Sequence, residues 1–153
     1  MKSSEFMAAV PDAVQQHLGT DLLLRRGRLW PWGVQLYEDD PRYHYEVARV
    51  TPRLGDRLEI GLHFESKNPA DNRELLAEFQ VHLLEIKAEL GDSVEAELWD
   101  RGWTKVYDTL PLAPYEPAYL DTVARRLAEI ARVLQPIYRQ ALRREGGRIY
   151  PSF

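Results

Sequence analysis

The chain contains no cysteine, which excludes disulfides, thiolate nucleophiles and cysteine-ligated metal. No apolar run approaches the roughly 20 residues that span a bilayer. The first residues, Met1-Lys2-Ser3-Ser4-Glu5, lack the apolar segment of a signal peptide. The expectation is therefore a cytoplasmic protein without a membrane partner. Gly-x-Gly-x-x-Gly, Walker and Gly-x-Ser-x-Gly motifs are absent, and the few serines have no neighbouring base. Histidine is scarce: His17, His44, His63 and His82 fall on different predicted elements, and none has a second histidine at i+3 or i+4. No cofactor and no catalytic residue is expected on these grounds. There is no internal repeat and no low-complexity segment.

At 153 residues the chain has the size of one domain. A domain of that length buries roughly 70% of its unfolded surface without staples. Its net charge of −4 conceals an asymmetry. Residues 54–100 carry twelve acids against four bases, and residues 125–148 carry seven arginines against Glu129 and Glu145. Opposed patches of this kind favour contact with a partner, or of one copy with another, over general nucleic-acid affinity.

The clearest pattern runs from Arg57 to Leu98. Leu58, Ile60, Leu62 and Phe64 alternate with Glu59, His63 and Glu65, the period of a strand buried on one face. Asn68-Pro69 then supplies an N-cap acceptor and a first-turn proline. Leu75, Leu76, Phe79, Leu83, Ile86 and Leu90 continue one helical stripe to Gly91, a C-cap residue. Val94, Ala96 and Leu98 return to period two. Upstream, an N-terminal helix is predicted over 4–18 with Ser3 or Ser4 as cap, where Pro11 either breaks it or marks its first turn. Arg25, Arg26 and Arg28 lead into Trp30-Pro31-Trp32, read as a basic loop with an extended linker. Val34 to Tyr37 and Arg42 to Thr51 are strands, the second with a bulge or an edge position because Arg49 follows Tyr43, Tyr45 and Val47 on their face. Thr51 to Asp56 is a hairpin loop. Trp99-Asp100-Arg101-Gly102-Trp103 is a tight hairpin with Gly102 at positive φ. A C-terminal amphipathic helix over 116–143 carries Pro136, expected to kink or end it, and a frayed tail occupies 144–153.

These elements read as a single α+β domain with an antiparallel sheet of about five strands in the order α-β-β-β-α-β-β-α, its sheet-and-helix core spanning 32–109, and its helices on one face. The other face, carrying Glu59, His63, Glu65, Glu95, Glu97 and Trp99, is expected to be a solvated polar surface or to meet another molecule.

Candidate chemistry is sparse. Glu59, His63 and Glu95 are the candidates for a metal-dependent hydrolase, with Glu65 as a further ligand beside His63. Glu85-Ile86-Lys87 has the Glu-x-Lys spelling of restriction-type nucleases but falls inside a helix. Glu95 and Glu97 flank a small alanine and would suit a carboxylate pair. The tryptophans Trp30, Trp32, Trp99 and Trp103 are candidate partner-binding residues, since aromatics and arginine dominate binding hot spots. The alternative is that they fill the core. Arg25, Arg26 and Arg28, with Arg139, Arg143 and Arg144 of the final helix, are candidates for gripping nucleic acid beside stacking indoles.

Leu58-Glu59-Ile60-Gly61-Leu62, Phe79, Glu85-Ile86-Lys87-Ala88-Glu89-Leu90-Gly91 and a strand ending in Trp99 resemble an uncharacterised bacterial domain family found beside or fused to predicted restriction-type nucleases, over roughly residues 57 to 140. The family offers no catalytic residue to carry over. The element order is similar to that of the small acidic secretion chaperones, which dimerise and bind extended segments of client proteins. Both resemblances imply a binding protein. The amphipathic terminal helix, the four tryptophans and the opposed charge regions make the expectation a non-enzymatic protein-interaction module that forms a homodimer, with nucleic-acid recognition as the alternative and metal-dependent hydrolysis third.

Overall fold

A computed structural model of the chain describes residues 1–50 and 56–149, with side chains described through Arg144. The fold is α+β. Helix α1 (Ser3–Leu18) is followed by strands β1 (Arg25–Trp30), β2 (Gly33–Tyr37), β3 (Tyr43–Arg49) and β4 (Arg57–Phe64), helices α2 (Pro69–Val81) and α3 (Leu83–Leu90), strands β5 (Glu95–Leu98) and β6 (Thr104–Pro111), and helix α4 (Pro117–Ile149). The six strands form one antiparallel sheet in the order β1-β2-β3-β4-β6-β5.

All four helices lie on one face, over the alternate residues that the period-two pattern assigns inward. Val34, Leu36, Tyr45, Val47, Leu58, Ile60, Leu62, Phe64 and Val106 meet Phe6, Val10 and Val14 of α1, Leu75 and Phe79 of α2, and Val123, Leu127 and Leu134 of α4 in one core. Alanines 124, 128 and 131 on the buried side of α4 are fully enclosed and let it approach its neighbours closely. Polar clasps fix the layers: Tyr45 Oη donates to Gln135, whose amide donates to Glu38, which also pairs with Arg139, and Arg126 of α4 reaches Asp108 of β6 at 2.9 Å.

Several expectations need correction. The sheet has six strands, not five, because Arg25–Trp30 is strand β1 and not a loop; Pro31-Trp32 is the two-residue turn of a hairpin in which Trp30 opposes Gly33. The bulge lies in β1, between Arg26 and Leu29, whereas β3 pairs in unbroken register with β4 and is central to the sheet; Arg49 is exposed at the strand's end, where its phase carries no cost. Lys2, not a serine, holds the N-cap of α1, and Pro11 sits inside the helix without ending it. The single helix read over residues 69–90 is two, divided at His82, and the corner leaves Val81 and Leu84 at 79% and 85% exposure while turning Ile86 and Leu90 inward. Helix α4 runs past residue 143 to Ile149 with Pro136 inside it. The rest of the expected tail, and the Thr51 to Asp56 loop apart from Asp56, lie outside the described residues.

Local signals hold where they are strongest. Asn68 caps α2, its side chain accepting from the Ala70 N–H at 3.1 Å with Pro69 at the first position. Gly102 has φ +78° in the hairpin closed by Trp99 N–H to Trp103 O at 3.0 Å. A Cβ there would lie 2.8 Å from Pro69, so the turn also needs glycine for space.

A charged floor between two tryptophan pairs

The face of the sheet that carries no helix is exposed along β1 and β5 but is not a solvated surface along β4. In β4 every residue from Leu58 to Phe64 is buried, the outward Glu59 and His63 included, at 7% and 1% exposure. Neighbouring strands supply the cover. Trp99 meets the His63 ring edge-on at 5.6 Å. Lys105, opposite His63 in the register, lays its ammonium 5.0 Å from the Trp99 ring and 4.2 Å from the Tyr107 ring. Gly61 makes this closeness possible, since a Cβ at that position would stand 2.5 Å from both Tyr107 Cβ and Val106 O.

Register then assembles the floor. His44 of β3 opposes His63 of β4, and their rings stack at 5.6 Å. Because side chains repeat every second residue, Glu46 and Glu65 fall on the same face one step along each strand. Glu65 stands 3.0 Å from His63 Nδ1, and Glu59 stands 3.1 Å from His63 Nε2. Lys105 reaches the other Glu59 oxygen at 2.5 Å, and Gln35 donates to Glu46 at 3.0 Å. His44 Nδ1 faces Pro41 O at 2.8 Å. That carbonyl can only accept, so Nδ1 bears the proton.

The electrostatics follow from this packing. Burial works against a charged His63, but hydrogen bonds to Glu59 and Glu65 outweigh it and raise its pKa to about 9. Burial likewise opposes an ionised Glu65, and its contacts with His44 and His63 bring it to about 2. Glu59 and Glu46 are lowered against burial, chiefly by His63 and His44 respectively. For His44, too, burial is overcome by Glu46 and Glu65, which raise its pKa. Every ionised group on the floor thus has an opposite charge beside it, the condition under which buried charge is tolerated.

The four tryptophans frame this floor instead of filling the core. Trp30 and Trp32 stack at 4.9 Å and 7°, with Arg28 over Trp30 at 4.9 Å. Trp99 and Trp103 lie 5.4 Å apart, with Arg101 over Trp103. Trp32 and Trp99, 51% and 43% exposed, line one hollow of about 320 Å³ together with Glu46, Glu59, His63 and Lys105. A second hollow of about 230 Å³ opens on His44 and Glu65 beside Arg28 and Arg42. No family model, curated protein or solved structure matches this chain.

Of the residues singled out from sequence, Glu59, His63 and Glu65 are brought together. Glu95 is not: it lies on β5, beyond β6, paired with Lys87 at 3.0 Å. Its supposed carboxylate partner Glu97 instead accepts from Tyr107. Glu85-Ile86-Lys87 falls in α3, with Ile86 buried. Of the arginines, Arg28 borders the floor, Arg25 and Arg26 are exposed on β1, Arg139 and Arg144 of α4 pair with Glu38 and Glu78, and Arg143 is exposed. Sequence reasoning missed His44 and Glu46. The available signal was their alternation with Tyr43, Tyr45 and Val47, which marks them as outward on a strand adjacent to β4.

Proposed function

We propose that this protein is a non-enzymatic interaction module that docks an extended segment of a partner protein on the open face of the sheet, an apolar or aromatic side chain of that segment entering the hollow between Trp32 and Trp99. One observation carries the reading: two half-exposed indoles from distant parts of the chain wall the same hollow over a floor whose charges are already compensated. Indoles supply large contact area at little entropic cost, and well-packed aromatic pockets concentrate binding energy. A rigid floor, tied by ion pairs across β3, β4 and β6, presents those walls ready-made, which reduces the ordering cost of association. Nucleic acid is less well served, because Arg139, Arg144, Arg125 and Arg126 are engaged by carboxylates of the same chain and acidic groups line the floor.

The test is selection of binding segments from a displayed library of random peptides, followed by titration of selected peptides against tryptophan fluorescence. Saturable binding that weakens by at least about tenfold in both Trp32→Ala and Trp99→Ala supports the reading. Failure to select any segment, or binding indifferent to both substitutions, overturns it. So does fluorescence quenching only by a mixed-sequence oligonucleotide with steep salt dependence, or burial of both indoles in a homodimer that excludes every peptide.

A further inference from the structure

We propose that His44, Glu46, His63 and Glu65 form a binding site for one divalent first-row transition metal ion, with zinc the ion that best suits the donors. The inference is independent of the docking reading, since it concerns the floor and not the indoles above it.

Four observations converge. First, each of the four residues offers one ligand atom, and these atoms all lie within 4.8 Å of one another. Two imidazoles and two carboxylates make a donor set suited to zinc and its first-row neighbours and poor for calcium or magnesium, which prefer oxygen alone. Second, the two spacings from His44 Nε2 match the edge of a coordination polyhedron. With zinc bonds of 2.0–2.2 Å, ligand atoms at the corners of a tetrahedron stand roughly 3.3–3.6 Å apart. His44 Nε2 lies 3.5 Å from Glu46 Oε1 and 3.6 Å from Glu65 Oε2, and His63 Nδ1 lies 3.0 Å from Glu65 Oε2. The first two distances are too long for good hydrogen bonds but fit two ligands of one ion.

Third, the outer contacts are already in place. A ligating histidine normally donates its other ring N–H to a carbonyl or carboxylate, which fixes the ring. His44 Nδ1 has the Pro41 carbonyl at 2.8 Å, and His63 Nε2 has Glu59 at 3.1 Å, itself held by Lys105. In both rings the remaining nitrogen is the one turned toward Glu65. Fourth, His44 Nε2 is buried, with the side chain 3% exposed, and has no hydrogen-bond partner among the described residues. Buried polar atoms in that condition call for an explanation, and a metal ion bound at Nε2 supplies one. The hollow beside Arg28 and Arg42 reaches His44 and Glu65 and gives an ion its way in. When the ion binds, it displaces the proton on His63 Nδ1 and, from a charged His44, the proton on Nε2, and both leave to solvent.

The experiment uses the full chain stripped with a chelator, then titrated with zinc by calorimetry and, after desalting, assayed for metal by mass spectrometry. Cobalt(II) absorption serves as a second readout. The expected result is one zinc per chain, intense visible cobalt bands of low coordination number, and affinity reduced more than about 100-fold in His44→Ala. Glu59→Gln, an outer-contact change, is expected to lose about 10- to 100-fold. His44→Ala removes the contact to Pro41, the ring stacked on His63 and the charge beside Glu46 and Glu65, and leaves the Glu59–His63–Glu65 hydrogen bonds in place; should it fail to fold by circular dichroism, Glu46→Gln, which retains the side-chain shape, takes its place. His82→Ala, at the α2–α3 corner, is the control expected to bind normally. The proposal is overturned if the wild-type chain retains no zinc, if His44→Ala or its substitute retains as much, or if cobalt shows only the weak bands of the hydrated ion. Loss of peptide docking in Trp32→Ala with zinc binding intact would separate failure of one proposal from failure of the other.

Discussion

The two faces of this sheet are dried by different means, and residues adjacent in β4 belong to opposite regimes. Leu58, Ile60, Leu62 and Phe64 are at 0–1% exposure beneath the helices; Glu59 and His63, interleaved with them, are nearly as enclosed without any helix above. The first face relies on apolar burial, which is non-directional and tolerates rearrangement that conserves volume. The second relies on ion pairs and on rings laid over them, where each group is tolerable only while its particular partner is present. One face therefore depends on shape and volume, and the other on a fixed pattern of charge beneath two open hollows.

The largest effects should come from emptying either face. Phe64→Ala, which removes a ring packed between Tyr43 and Phe79, is expected to cost about 3–5 kcal/mol, measured by urea unfolding. His63→Ala is expected to cost a similar amount, about 3–5 kcal/mol, because it removes the buried charge between Glu59 and Glu65 and leaves Glu59 with Lys105 alone and Glu65 with His44 alone. Conservative changes should separate the two faces. Leu62→Met is expected to stay within about 1.5 kcal/mol, whereas His63→Gln, similar in size but without charge, should still cost about 2 kcal/mol or more. Equal tolerance at both positions would break the comparison.

Gly61→Ala tests the close approach of β4 and β6. Its methyl would meet Val106 O and Tyr107 at 2.5 Å, so a loss of about 1–3 kcal/mol is expected, read from the same unfolding curves.

Titration should touch only the charged face. In the metal-free protein the His63 pKa rises from 6.5 to about 9, so its contribution is complete below pH 6.5 and disappears as pH climbs through 9. Glu65 falls from 4.5 to about 2, so its contribution is complete above pH 4.5 and disappears as pH drops through 2. Stability from this pair should be greatest between pH 4.5 and 6.5 in thermal scans, with the alkaline decline blunted in His63→Gln. A decline of unchanged size in that variant would assign it to other groups.

The smallest effect on folding is expected at Trp32. Half exposed and packed on Trp30, it should change stability by no more than about 0.5 kcal/mol as Trp32→Ala, while weakening the proposed peptide docking by at least about tenfold. A larger loss would make it a structural residue of the hairpin.

By itself the sequence determined the α+β class, the inward rows of β3 and β4, the caps at Asn68-Pro69 and Gly91, and the Gly102 hairpin. All are short-range: a side chain's period, a cap's acceptor and a turn's positive φ are dictated within a few residues. Alternation also put Glu59, His63 and Glu65 outward, yet the solvent expected there is displaced by Trp99, Lys105 and Tyr107 from strands later in the chain. The tertiary structure alone decided that Arg25–Trp30 pairs as a strand, that the helix after Asn68 divides at His82, that His44 stands against His63 while Glu95 stands apart, and that Trp32 faces Trp99 across one hollow. Alternation says which face a residue takes but not which strand lies beside it, and register is fixed by packing between segments far apart in the chain.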